Sequence, residues 1–199
     1  MKKRSYITDR EKLESILIPA FGVFSKKRLE ENKEEIFEII PELKDEENFN
    51  QNNEWHIYDV FGHTLKALEM TKPELDVRIA VLLHDIGKPH CYQDDGKVRH
   101  FKGHSKKSAE MSKEILERLG YEENKIKDIV YLIENHSTTI DINKVNRNNI
   151  KLTKKLLQVQ FCDAIAYNPK YIKQVLNKLE AIGKQLIKKE KMYKDEEQR

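Results

Sequence analysis

From Asp59 to Leu186 apolar side chains return every three or four residues, and on five of these stripes an ionisable residue stands where the period calls for an interior one. A period near 3.6 is that of an α-helix with one buried face. Asp59 caps a segment that runs to about Met70, with Val60, His63, Ala67 and Met70 on one side. Pro73 or Glu74 opens the next, with Val77, Val81 and His84 inward, and Gly87 and Pro89 mark its end. A polar loop with a turn at Asp94-Asp95-Gly96 follows. A helix from about Gly103 to Gly120 then aligns His104, Ser108, Met111, Ile115 and Leu119. Ile126, Ile129, Ile133 and His136 share a stripe between about Asn124 and His136. Thr153 is the expected cap of the following helix, with Leu152, Leu156, Val159, Asp163 and Ala166 inward. Beyond Pro169 a last helix lines up Tyr171, Val175, Leu179, Ile182 and Leu186, and no segment reads as a convincing strand.

The expected fold class is therefore all-α, a single helical bundle with extra N- and C-terminal helices. Residues 1–50 read as a helical extension: two helices between Asp9 and about Ile40, broken near Pro19 and Gly22, then an acidic, Asn-rich loop from Pro41 to Asn53. The main domain spans 51–168, and 169–199 form an amphipathic helix and polar tail. A composition of 38% hydrophobic and 36% charged residues suits such a fold, because each amphipathic helix exposes a wide charged face. The net charge of +3 neither demands nor excludes a polyanionic partner. From Lys170 onward nine Lys/Arg face five Asp/Glu, first of all a solvated helix face and secondly a nucleic-acid contact. Cys91 and Cys162 lack CxxC spacing, so neither a disulfide framework nor a thiolate zinc site is expected. With no apolar run of signal-peptide or membrane-spanning length, a cytoplasmic location and no membrane partner are expected.

The five inward ionisable residues are His63, His84, His104, His136 and Asp163, and Asp85 adjoins His84. Burying one unpaired charge costs several kcal/mol or forces the group neutral. A fold of this size does not tolerate five such burials unless the groups satisfy one another. A metal ion at their meeting point does so most simply. Imidazoles and carboxylates without thiolate suit iron, manganese, nickel, cobalt or zinc, with magnesium a further candidate. His63, His84, Asp85 and Asp163 form the expected ligand set, leaving open positions for water and substrate. Taken singly, His63 and His136 read more simply as satisfied core histidines; together they do not.

The string Ala80-Val-Leu-Leu-His84-Asp85-Ile-Gly-Lys88-Pro, with His63 before it and His136 and Asp163 after, resembles the HD superfamily of metal-dependent phosphohydrolases. Residues Gln51 to Thr64, with His100-Phe-Lys-Gly-His104-Ser, resemble more closely the HD region of bacterial tRNA nucleotidyltransferases, the CCA-adding enzymes. That likeness covers roughly residues 36–168. No strand-rich region with paired catalytic carboxylates precedes it, so the chain is expected to be a stand-alone HD domain to which CCA addition does not transfer. The resemblance implies phosphatase or 2′,3′-cyclic phosphodiesterase activity with a divalent cation, on a nucleotide or an RNA 3′ end. It also implies that His104 and His136 hold a second metal in related families. One tightly bound ion is expected here, with those two histidines binding a second weakly or touching phosphate.

The roles expected within this reading are catalytic for Asp85, Lys88, His104 and His136, and substrate-binding for Lys88, His100, Lys102 and His104. Lys88 reads equally as a solvated lysine near a helix C-terminus. Arg99 joins the basic group before His104, His56 lies off every stripe, and Trp55 reads as a core or hinge anchor. Cys162 reads as a small buried residue. The rival function is a metal-stabilised helical module that binds RNA or protein without turnover. The charge-rich surface offers no clear oligomer interface.

Overall fold

A computed structural model of the protein describes residues 7–20 and 24–197. It is a helical fold. The extension holds α1 (Asp9–Leu17), α2 (Lys26–Glu31) and α3 (Lys33–Ile39), followed by a 3-10 turn at Pro41–Glu46. The main body comprises α4 (Val60–Glu69), α5 (Leu75–Leu83), α6 (His104–Arg118), α7 (Glu123–Asn135) and α8 (Ile150–Ile165), and α9 (Pro169–Glu197) closes the described chain.

Helix α5 is the hub, and its sequence says why. Val77 through Leu83 are all buried, Arg78 included, and a helix apolar almost all round belongs at a centre. It packs against α4, α7 and α8, while α6 packs on α7 and α9 on α8. Arg78 is the exception in that run, and its guanidinium ties the extension to the hub. It donates to the Leu17 carbonyl, bonds the Thr71 hydroxyl at 3.0 Å and lies 3.7 Å over the Phe24 ring.

Capping is local and follows the expected residues at two ends. The Asp59 carboxylate accepts from Gly62 N at 2.7 Å at the start of α4. Gly120, at φ 74°, ends α6 in a Schellman motif: Tyr121 N bonds Leu116 O and Gly120 N bonds Glu117 O.

Elsewhere the structure corrects the sequence reading. Helix α8 starts at Ile150 with Asn149 as its cap, and Thr153 lies inside it with its hydroxyl on the Asn149 carbonyl. Met70 falls just beyond α4 and is 45% exposed, because the apolar stripe outruns the helix by one residue. The second of the two helices expected between Asp9 and about Ile40 breaks in two at Asn32, and part of the loop from Pro41 is a 3-10 turn with Leu43 and Glu46 buried. The break at Pro19 is present, whereas Gly22 lies outside the described residues. One short antiparallel pair also forms, β1 (Gln93–Asp94) with β2 (Arg99–His100) around the Asp94-Asp95-Gly96 turn. Trp55 is no core residue: it is 40% exposed and stacks on Tyr171 of α9, ring centroids 4.1 Å apart. No described helix is long and apolar enough to cross a membrane.

Candidate metal centre

Helix ends and two helix interiors converge on one buried cluster. His63 sits in the first turns of α4, His84 and Asp85 follow the last turn of α5, and His104 opens α6. His136 caps the C-terminus of α7, and Asp163 lies near the end of α8. The C-terminal ends of α5 and α7 thus point their partial negative charge at the cluster, a placement that favours a cation. Gly87 makes the meeting of α5 and α6 possible. A Cβ at that position would stand 2.6 Å from Ser108 N and 2.8 Å from His104 O, and Gly87 N donates to the Ser108 hydroxyl at 2.9 Å.

The hydrogen bonds of the imidazoles set their tautomers. Each of four Nδ1 atoms faces a backbone carbonyl: His63 with Ala166 O, His84 with Val81 O, His104 with Phe101 O and His136 with Ile133 O. A carbonyl only accepts, so each Nδ1 carries the proton and each Nε2 presents a lone pair. Those lone pairs point at one another and at carboxylates. His84 Nε2 is 3.3 Å from His63 Nε2, His104 Nε2 is 3.1 Å from His136 Nε2, and His63 Nε2 is 2.9 Å from Asp163 Oδ1. Acceptors at such distances repel unless a proton or a cation stands among them. Both Asp85 oxygens are buried without a hydrogen bond, although Lys88 Nζ makes an ion-pair contact at 2.6 Å.

The potential ligand atoms fall into two groups, His63–His84–Asp163 and Asp85–His104–His136, each with its atoms within 4.8 Å of one another. Asp85 stands between them. Its Oδ2 is 3.3 Å from His84 Nε2 and 3.7 Å from His63 Nε2, while Oδ1 is 3.5 Å from His104 Nε2 and 3.8 Å from His136 Nε2. The donor set, the set tautomers and the unsatisfied carboxylate all fit a divalent ion.

The electrostatics have the same shape. Burial would raise the Asp85 carboxyl, but the charges of His84 and Lys88 overcome it and hold the group well below the usual carboxylate range. Burial is likewise outweighed at Asp163 by its close contacts with His63 and His84, which hold the carboxyl well below the usual range. His84 gains the complementary proton: burial disfavours its charge, yet Asp85 and Asp163 lift it to about 9. His136 is pushed down to about 4 by burial and by His84. A proton on His84 therefore balances the cluster in the way a metal ion would.

The surroundings contain residues that the sequence did not single out. Tyr167, one turn after Asp163, donates to its Oδ2 at 2.7 Å and stacks on the His63 ring. Gln51, 1% exposed, accepts from Lys88 Nζ at 2.8 Å. The i, i+4 spacing of Tyr167 was a readable signal; Gln51 lies in an irregular segment and offered none. Lys88 itself is 4% exposed, so it is an internal partner of Asp85 and not a solvated lysine. His56 lies beside it, 3.5 Å from Lys88 Nζ, and burial and Lys88 lower it to about 3. His100 and Lys102 are exposed and make no bond to the cluster among the described residues; the hairpin turns His100 toward Asp95 at 3.4 Å, and Arg99 toward Asp94. Cys162 is buried, and burial lifts its thiol to about 11.

Two comparisons bear on this arrangement. The family model described as "HD domain" matches residues 56–168, more than half of the chain. The A-adding tRNA nucleotidyltransferase of Deinococcus radiodurans is 35% identical over 104 residues, a match covering 49% of this chain and 24% of that protein. The chain thus spans about a quarter of that relative's length.

Proposed function

We propose that this chain, which belongs to the HD domain family, is a metal-dependent phosphohydrolase that acts on a phosphomonoester or a 2′,3′-cyclic phosphodiester of a nucleotide or RNA end. The observation that carries this reading is the convergence of four Nε2 atoms and two carboxylates in one buried cluster, which holds two groups of potential ligand atoms within reach of one ion each. His63, His84, Asp85 and Asp163 would hold one ion, and Asp85 would share a second with His104 and His136. A bound iron, manganese, nickel, cobalt, zinc or magnesium ion supplies Lewis acidity and a bound water of lowered pKa.

The chain's own residues do the rest. Backbone carbonyls hold the imidazoles in the ligating tautomer, and Tyr167 fixes the Asp163 carboxylate. Lys88 sets its charge against Asp85, in reach of negative charge that develops on a phosphoryl group in the cluster. His104 is the imidazole with 18% exposure, so a substrate entering from solvent meets it before the buried His136. The kinship with a tRNA nucleotidyltransferase supports nucleotide or RNA as substrate class.

The test joins metal analysis to turnover. The purified protein is assayed on p-nitrophenyl phosphate, its bis ester, 2′,3′-cyclic AMP and nucleoside monophosphates with manganese, nickel, cobalt or magnesium added. Metal-dependent hydrolysis that is lost in Asp163→Ala is expected. Bound metal with no hydrolysis on any substrate would favour a metal-stabilised binding module.

A further inference from the structure

Both histidines of the Asp85–His104–His136 group are followed in the chain by a serine, His104 by Ser105 and His136 by Ser137. Ser105 lies in the first turn of α6, and Ser137 just past the end of α7. The two Nε2 atoms face one another at 3.1 Å, and beside them the two hydroxyls meet at 2.7 Å. Ser105 Oγ is also 3.5 Å from His104 Nε2. This is the open side of the cluster. The His104 side chain is 18% exposed, against 1% for Asp85 and 2% for His136, while Ser137 is exposed and Ser105 half-buried. Lys88 reaches the other oxygen of Asp85, Oδ2, and Tyr167 donates to Asp163 in the other group. Among the described residues, Ser105 therefore carries the hydroxyl within hydrogen-bond distance of the ligand atoms on the Oδ1 side of Asp85.

The two hydroxyls carry two hydrogens, and one of these lies between the two oxygens. With Ser137 donating to Ser105, the Ser105 hydrogen has one acceptor among the described residues, His104 Nε2, at the long limit of a hydrogen bond. His104 Nδ1 holds that ring's proton against Phe101 O, so Nε2 is the atom that would ligate an ion. An ion there takes the lone pair. The Ser105 hydrogen is then left without a protein acceptor, next to the ion's open positions. An ionised phosphoryl oxygen is a pure acceptor, and a hydroxyl donates to it in a charge-assisted bond.

We infer that Ser105 is a substrate-binding residue, whose hydroxyl donates to a phosphoryl oxygen of the substrate at the Asp85–His104–His136 ion. Ser137 is a positioning residue: its own hydrogen goes to Ser105 Oγ and so turns the Ser105 hydrogen toward the phosphate. The inference rests on the phosphohydrolase reading for the ion and the phosphate, and it adds the groups that hold the phosphate on the open side.

The test titrates the cobalt-loaded protein calorimetrically with inorganic phosphate and with imidazole, a neutral ligand for the same ion. Imidazole bound through one nitrogen keeps only an N–H, so a hydroxyl has nothing to donate to. Ser105→Ala is expected to weaken phosphate at least about tenfold, roughly the strength of one hydrogen bond to a charged group, and to leave imidazole unchanged. Ser137→Ala is expected to weaken phosphate by a smaller factor, and to have no effect in the Ser105→Ala background. Ser137→Thr, which keeps the hydroxyl, should bind phosphate as the parent does. Elemental analysis and thermal melts of each variant establish its metal content and folding. Unchanged phosphate affinity in Ser105→Ala, equal losses of phosphate and imidazole, or a parent that binds no phosphate each overturns the inference. So does a Ser137→Ala effect that is absent or that persists without Ser105. Parent-like phosphate binding in Ser105→Ala, with turnover of a phosphate ester, leaves the phosphohydrolase reading standing. Serine-dependent phosphate binding without turnover of any ester keeps the anion site and removes the enzyme.

Discussion

Glu46 is the buried carboxyl that the cluster does not use. It sits on the 3-10 turn after α3 and is fully buried, with Oε2 3.3 Å from the Thr64 hydroxyl and Oε1 unpartnered. Burial, then the nearby Asp85 charge, raises its pKa from 4.5 to about 8. The folded state therefore holds this proton more tightly than the unfolded chain does. Its contribution is neutral below about pH 4.5, stability falls as pH rises through the interval to 8, and the loss is complete above that. Each tenfold gain in proton affinity on folding is worth ~1.4 kcal/mol, so the loss is of order 3–5 kcal/mol. Glu46→Gln keeps the shape and removes the titration. In protein stripped of divalent ions, melting temperatures between pH 5 and 9 should fall more steeply for the parent than for the variant, whose remaining slope above about pH 6.5 comes from the proton on His84. Parallel curves would mean that Glu46 is already ionised in the fold.

At the scale of elements, the site depends on how α6 meets the turn after α5. Gly87→Ala would drive a methyl into Ser108 N and His104 O, which are backbone atoms and do not yield as a flexible side chain would. We expect a destabilisation of ~1–3 kcal/mol as the helix shifts. His104 moves with α6, so metal content should fall first in the Asp85–His104–His136 group, leaving His63, His84 and Asp163 in place. Metal stoichiometry and the melting temperature of one preparation check both effects, and a variant with parent-like values in each would show that the contact is compliant. This dependence also explains what was legible in the sequence. The helical period is a local property, so His63, His84, His104, His136 and Asp163 announced themselves by standing in apolar stripes. Gly87 read only as a helix terminator, because its close approach to α6 involves residues about twenty positions away. His100 and Lys102 read as substrate-binding residues from their place in the basic group before His104; both are exposed, His100 in the short strand β2 and Lys102 just after it. Glu46 and Gln51 lie outside the periodic stripes and carried no signal that distinguishes a buried polar residue from a solvated one.

For the molecule as a whole, the cluster is where four long-range connections close, since α4, α5, α7 and α8 all end or pass there and α6 packs over it. Without an ion these helices are held together across facing lone pairs by a proton on His84, a weaker clamp than a divalent charge. An ion that binds the folded chain alone adds RT ln(1 + [L]/Kd), about 2.7 kcal/mol at a hundredfold excess over Kd. In a chain of this size each kcal/mol moves the melting temperature by roughly 2–4 °C, so removing the metal should lower it by about 5–10 °C. Scanning calorimetry on loaded and chelated samples, with metal removal verified by elemental analysis, measures this directly. A shift that also appears in Asp163→Ala would come from the chelator and not from the site. An unchanged melting curve for the parent would require the facing imidazoles to be satisfied by protons alone. The cluster would then be a polar core that happens to contain ligands, and the case for a catalytic ion would fail at its physical root.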